Sequence, residues 1–253
     1  MATTLSATAS HAHRATHVPA SIETCIAAGC FVVALAGFVP SYWVPLLRGE
    51  FAGSRLLHVH NAVFLAWIAL LWWQGTLADR GRLERHRAFG LAGIALATAV
   101  VFVGTLVFQQ RVQELAQLAG PVVATGQMML SASAMAGFAV LVGLAIAFAR
   151  NTGVHRRLMA VATLSLLGAP IMRLVAAAGL RPTGPVSPWF SLVPGIAVDL
   201  LVLAVLVWDW RRHGRVSPVY AWSLAGLGAM QVLRVPVSMS QPWSEFARWF
   251  AGI

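Results

Sequence analysis

The sequence predicts an all-α fold, a polytopic membrane bundle of about seven transmembrane helices. Three observations carry this. The chain is 58% hydrophobic and only 10% charged, where a soluble domain carries about 25% charged residues. Apolar stretches of the length needed to cross the hydrocarbon, about 20 residues, recur at roughly 22–46, 54–77, 87–110, 122–149, 154–179, 191–211 and 217–236. The connections between them are too short for a soluble domain, and in lipid the backbone must satisfy itself within helices.

The elements follow in order. Residues 1–20 are a polar, disordered tail that includes His11, His13 and His17. The tail lacks the short pattern of a cleavable signal, so the first span is expected to stay as an anchor. Cys25 and Cys30 of that span point in different directions, so no disulfide joins them. The span ends in P-S-Y-W-V-P. Tyr42 and Trp43 suit an interfacial belt, and Pro40 and Pro45 bend or end the helix. Trp72 and Trp73 anchor the inner end of the second span, Trp208 and Trp210 that of the sixth, and Trp189 its outer start.

The fourth span carries the small-residue run S-A-S-A-M-A-G, which lets helices approach closely. Gly168 and Pro170 are expected to kink the fifth. The seven spans fill residues 21–238, and residues 239–253 read as an amphipathic helix at the outer interface.

All 18 basic residues are arginines. Eleven lie in the tail and in the connections after spans two, four and six, against five in the opposite connections and the C-terminal segment. The positive-inside rule then places the N-terminus in the cytoplasm and the C-terminus outside, in a bacterial inner membrane. The basic charge follows the loops of a membrane protein, so the bilayer and not nucleic acid is the expected partner.

Two groups of residues could carry chemistry. His86 and His155 open the third and fifth spans at matching depth. Two neutral imidazoles facing each other across a bundle can clamp a heme iron axially, and Arg85, Arg87, Arg156 and Arg157 could hold the propionates. Contact with headgroups is the structural alternative. The second group lies in the outer half. Asp199 is the only acidic residue well inside a span, and Arg173, Arg234, Gln231, Asn61 and Gln127 lie at comparable positions. Charged groups at that depth are rare, usually paired, and mark cavities by default. A structural ion pair, with Arg234 reaching outward, is the alternative there. His58 and His60 form H-x-H and could hold a metal, but two residues apart on a regular helix they face nearly opposite ways.

No Walker loop, H-E-x-x-H, G-x-S-x-G or C-x-x-C is present. The absence of lysine excludes a retinal Schiff base.

The run H-x-H-N…W…Q-G-x-L…R-H-R-x-x-G, followed by H-R-R-L-M-x-x-A-T…R, resembles a family of uncharacterised bacterial seven-span membrane proteins over about residues 55–250. G-R-V-x-P-V-Y near 214–220 and the ending P-W-x-x-F-A-R-W belong to the same resemblance. Where that family usually has histidine this chain has Ser217, with His213 nearby. The resemblance implies a seven-span topology. H-R-x-x-G opening a span is also similar to heme-binding membrane cytochromes of the diheme b type and of the heme A synthase type.

The leading expectation is therefore a b-type heme protein passing electrons between a quinol or other small reductant and a redox partner, with His86 and His155 as axial ligands. The alternatives are a transporter or sensor for a small ligand built on Asp199, Arg173 and His60, and a metal-dependent lipid-phase enzyme using His58 and His60.

Overall fold

The computed structural model describes residues 19–180 and 192–253, and every regular element among them is helical. The tail histidines, Arg14, Arg181 and Trp189 lie outside those residues.

Helix α1 runs Ile22–Phe38. Ser21 caps it, its hydroxyl accepting from the Thr24 amide while its own amide donates to Asp79 Oδ2 at 2.9 Å. Pro40, which has no N–H to give the ladder, falls in a π-helical turn, Val39–Trp43, that continues into the short α2, Val44–Leu47. The prolines thus loosen the helix where bending is expected, without ending it.

The second span is α3, Arg55–Asp79. Gly81, at φ 69°, reverses the chain into a six-residue helix α4, Leu83–Ala88, and then α5, Gly90–Ala119. Together α4 and α5 make one 37-residue segment, well beyond the ~20 residues that cross the hydrocarbon. Its final turns, from Gln109 on, are polar.

After Gly120, at φ 86°, come α6, Pro121–Ala147, and α7, Thr152–Ser165. The chain breaks at Leu166–Leu167 before α8, Gly168–Ala177. This is the kink expected from Gly168 and Pro170. Helices α9, Val193–His213, and α10, Pro218–Ser238, complete the bundle.

Among the described residues, six segments are both long and apolar enough to cross a membrane. The seventh expected segment, α10, has the length, but Gln231, Arg234 and Pro236 dilute its apolar character.

Packing explains why the fifth span matters most. Helix α1 packs on α3, α3 on α5, α5 on α6 and α6 on α7, while α7 and α8 return to α1, so the first five spans close a ring. Helices α9 and α10 pair with each other and lean on α6, α7 and α8. The centre is filled by buried Trp67 and Phe138, edge to face at 5.1 Å.

Small residues set the closest approaches. At Gly37 an added Cβ would lie 2.6 Å from the Pro170 carbonyl oxygen. At Gly75 it would strike the Thr24 hydroxyl. Gly37→Ala should therefore push α1 off the kinked fifth span and cost about 1–3 kcal/mol. Unfolding in detergent checks this, and an unchanged midpoint would refute the close contact.

The C-terminal segment forms α11, Gln241–Ala251, capped by Ser240. It does more than lie along an interface. Ala247 and Ala251 are fully buried against Val112, Ala124 and Met128. Gln109 and Gln113 of α5 donate to the Phe250 and Ala251 carbonyls, and the Trp243 indole donates to Thr125 O at 2.9 Å. The polar end of α5 is the platform for this docking.

Candidate functional site

The reversal at Gly81 lays α4 beside the end of α3. His86 Nδ1 then lies 3.3 Å from the Gln74 carbonyl. On α7, Asn151 caps the helix by accepting from the Val154 amide, which puts His155 in the first turn. His155 Nδ1 lies 2.7 Å from the Ala145 carbonyl. That carbonyl belongs to the last turn of α6, where helical partners run out.

A carbonyl can only accept, so each Nδ1 carries a proton, and in the neutral ring the lone pair is then on Nε2. The two rings are neighbours at right angles, with centroids 6.4 Å apart and planes at 89°. The two histidines paired in the sequence are thus neighbours, each held by its second nitrogen, the arrangement seen behind metal-ligating imidazoles. Gln74 is itself buried, and its Oε1 has no hydrogen-bond partner.

The four flanking arginines divide. Arg85 and Arg87 are exposed. Arg156 lies 3.4 Å from Glu23, and Arg157 lies 3.1 Å from Asp209. Both acids are buried, Asp209 almost completely. Tyr220, fully buried, donates to Glu23 at 3.4 Å, and Arg157 sits 5.8 Å over its ring. His213 Nδ1 lies 3.1 Å from Asp209 Oδ1.

This network of α1, α7, α9 and α10 was not anticipated from sequence. Glu23 and Asp209 sit at span ends, where a charge usually faces water. One signal was available: Asp209 and His213 are four apart, the spacing that brings side chains together on a helix.

Deeper in the ring, the Trp67 indole donates to Thr163 Oγ1 at 3.2 Å, tying α3 to α7. The Thr163 hydroxyl donates in turn to the Met159 carbonyl. Trp67→Phe keeps the ring but loses this bond, so a loss of about 1 kcal/mol is expected. No change in stability would mean that the bond contributes nothing.

The polar residues expected in the outer half are spread over α3, α6, α8, α9 and α10. On α9 and α10, Gln231 Nε2 donates to Asp199 Oδ1 at 3.0 Å, and Arg234 lies within electrostatic reach of Asp199. The absence of a side chain at Gly195 lets Gln231 approach.

Arg173 is exposed on α8, 4.6 Å over the Phe38 ring, and within electrostatic reach of His60. Asn61 is buried on α3, and Gln127 is exposed on α6. His58 and His60 diverge as their spacing requires. His58 Nδ1 shares a 2.8 Å hydrogen bond with the Tyr42 hydroxyl, and His60 lies against Phe64 at 4.1 Å. No group of three or more His, Cys, Asp or Glu is poised to hold a metal ion among the described residues.

Fold and site together define a class: a multi-pass helical membrane protein with two imidazoles paired at one end of its bundle. Comparison with protein-family models, curated proteins and solved structures returns no match.

Proposed function

We infer that the chain is a b-type heme protein of the bacterial inner membrane, with His86 and His155 as axial ligands. One observation supports this reading: two imidazoles lie with ring centres 6.4 Å apart, each tethered through Nδ1 to a backbone carbonyl. Two imidazoles bound to one metal through opposed nitrogens at about 2 Å each would have ring centres roughly 6 Å apart.

The donor set also favours heme over a bare ion. No third ligand residue joins the pair among the described residues. A structural zinc site uses four protein ligands, whereas two axial residues suffice for a heme, whose porphyrin supplies the rest. The bound group would supply one-electron chemistry. The chain's part is to hold both rings, through the Gln74 and Ala145 carbonyls, and to offer Arg85 and Arg87 to anionic substituents. Arg156 and Arg157 are engaged by Glu23 and Asp209, so they act on the site chiefly by holding the start of α7 in place.

Under this reading α10 is the seventh span. Its polar residues face Asp199 of α9 and are sheltered from lipid as intramembrane charges must be. The arginine-rich end, with the histidine pair, then lies in the cytoplasm and α11 outside. A quinol or another small reductant, and a redox partner, would be the electron-exchange partners. The test is an absorption spectrum of purified protein, oxidised and then reduced with dithionite. A flat visible spectrum from folded, heme-supplied protein would overturn the reading.

A further inference from the structure

Helix α9 buries one face, with Val198, Val202 and Asp209, against the bundle. At 3.6 residues per turn, the opposite face carries Leu200, Leu203, Ala204, Val207, Trp208 and Arg211. These six residues line a trough of about 380 Å³, and all but Val207 are exposed. Its walls all come from α9. The notch falls at Ala204, whose methyl group lies between the larger Leu200 and Trp208, four residues away on either side.

Length and chemistry along the trough match one leaflet of a bilayer. Leu200 and Arg211 are eleven residues apart, about 17 Å at 1.5 Å per residue. Half of a hydrocarbon core of about 30 Å is close to that. The lining is aliphatic from Leu200 to Val207 and then turns to an indole and a guanidinium. Tryptophan favours the level of the lipid headgroups. There Arg212 stands 6.0 Å over the Trp208 ring, beside Arg211.

The positive charge at this end has no carboxylate to answer it. Asp209 is taken by Arg157 and His213, and Glu23 by Arg156. No ion pair among the described residues includes Arg211, Arg212 or Arg215. Basic side chains in a last helical turn suit the helix dipole, but that accounts for the charge and not for the trough beneath it. Guanidinium groups bind phosphate oxygens through paired N–H donors.

We propose that this trough holds one anionic phospholipid, with an acyl chain along Leu200, Leu203, Ala204 and Val207 and the phosphate received by Arg211 and Arg212 beside Trp208. Neither His86 nor His155 lies on α9, so a colourless protein would leave this inference standing.

The experiment is native mass spectrometry of the full chain in neutral detergent, titrated with dioleoyl phosphatidylglycerol and, separately, with the zwitterionic dioleoyl phosphatidylcholine. One phosphatidylglycerol should bind saturably and at least about fivefold more tightly than phosphatidylcholine. Arg211→Gln should weaken phosphatidylglycerol about fivefold, as for loss of one basic residue near an anionic headgroup, and leave phosphatidylcholine unchanged. Ala204→Phe, which fills the notch, should weaken it comparably. Arg80→Gln removes the same charge from an exposed site on α3's C-cap and should change nothing. Melting curves establish that the variants fold, and Arg212→Gln serves if Arg211→Gln does not. The proposal is overturned if the two lipids bind alike, if Ala204→Phe binds as wild type does, or if Arg80→Gln weakens binding as much as Arg211→Gln. A doubled mass that Ala204→Phe returns to that of one chain would overturn it in favour of a second copy.

Discussion

Protein purified after expression with heme supply should be red. Its spectrum should carry a Soret band that shifts on dithionite reduction and a sharp α band. His86→Ala and His155→Ala should each abolish that spectrum, because each removes one of the two neighbouring imidazoles and no third candidate ligand stands beside them among the described residues. Neither change should unfold the protein, since both rings are only half-buried. The melting temperature therefore separates loss of a ligand from loss of the fold. Arg85→Ala and Arg87→Ala remove exposed charges, each worth at most about 1 kcal/mol, so they should weaken heme retention several-fold without removing colour. Full colour in both histidine variants would eliminate the pair as ligands, whatever the wild type contains.

The largest effect on stability should come from Asp209→Ala. Asp209 accepts from Arg157 at 3.1 Å and faces His213 at the same distance, with only 3% of its side chain exposed. Removing one partner of a buried ion pair leaves the other charge uncompensated, at a cost of about 3–5 kcal/mol. The loss also frees the first turn of α7, on which His155 sits. Arg156→Ala should behave differently. The Arg156 side chain is 50% exposed in its pair with Glu23, so solvent screens it and less than about 1 kcal/mol is expected. Chemical unfolding in detergent measures both. Equal midpoints for Asp209→Ala and wild type would show that the network does not hold the bundle together.

Much of the fold was legible because in lipid it rests on local rules. The seven apolar stretches coincide with α1 and α2, α3, α4 and α5, α6, α7 and α8, α9 and α10, within a few residues at most ends. The exception is α5, which continues to Ala119. Its last turns are polar but are strong helix formers such as Gln, Glu, Leu and Ala, and hydropathy alone cannot see them. The docking of α11 was hidden for the same reason. An amphipathic face specifies burial of one side, whether the partner is a bilayer or the end of another helix.

The site was legible in part. Matched histidines at two span starts suffice to suspect that they meet, because helices entering from one side start at one depth. Whether Asp199, Arg173 and His60 belong together is not a matter that spacing along the chain can decide, because it depends on helix order. Asp199 belongs with Gln231 on α9 and α10, while Arg173 and His60 lie on α8 and α3.

By itself, then, the sequence determined that this chain is helical, where its apolar segments begin and end, where the fifth span breaks, and which residues have the chemistry to bind a cofactor. Those properties depend on composition, spacing and the behaviour of proline and glycine, which act within a few residues of one another. Tertiary structure alone decided who meets whom. It closed the first five spans into a ring, and joined Arg157 to Asp209 across 52 positions and Tyr220 to Glu23 across 197. Helix order around a bundle is set by how side chains and small-residue notches such as Gly37 fit one another. That information is spread over the whole chain, and no single segment carries it.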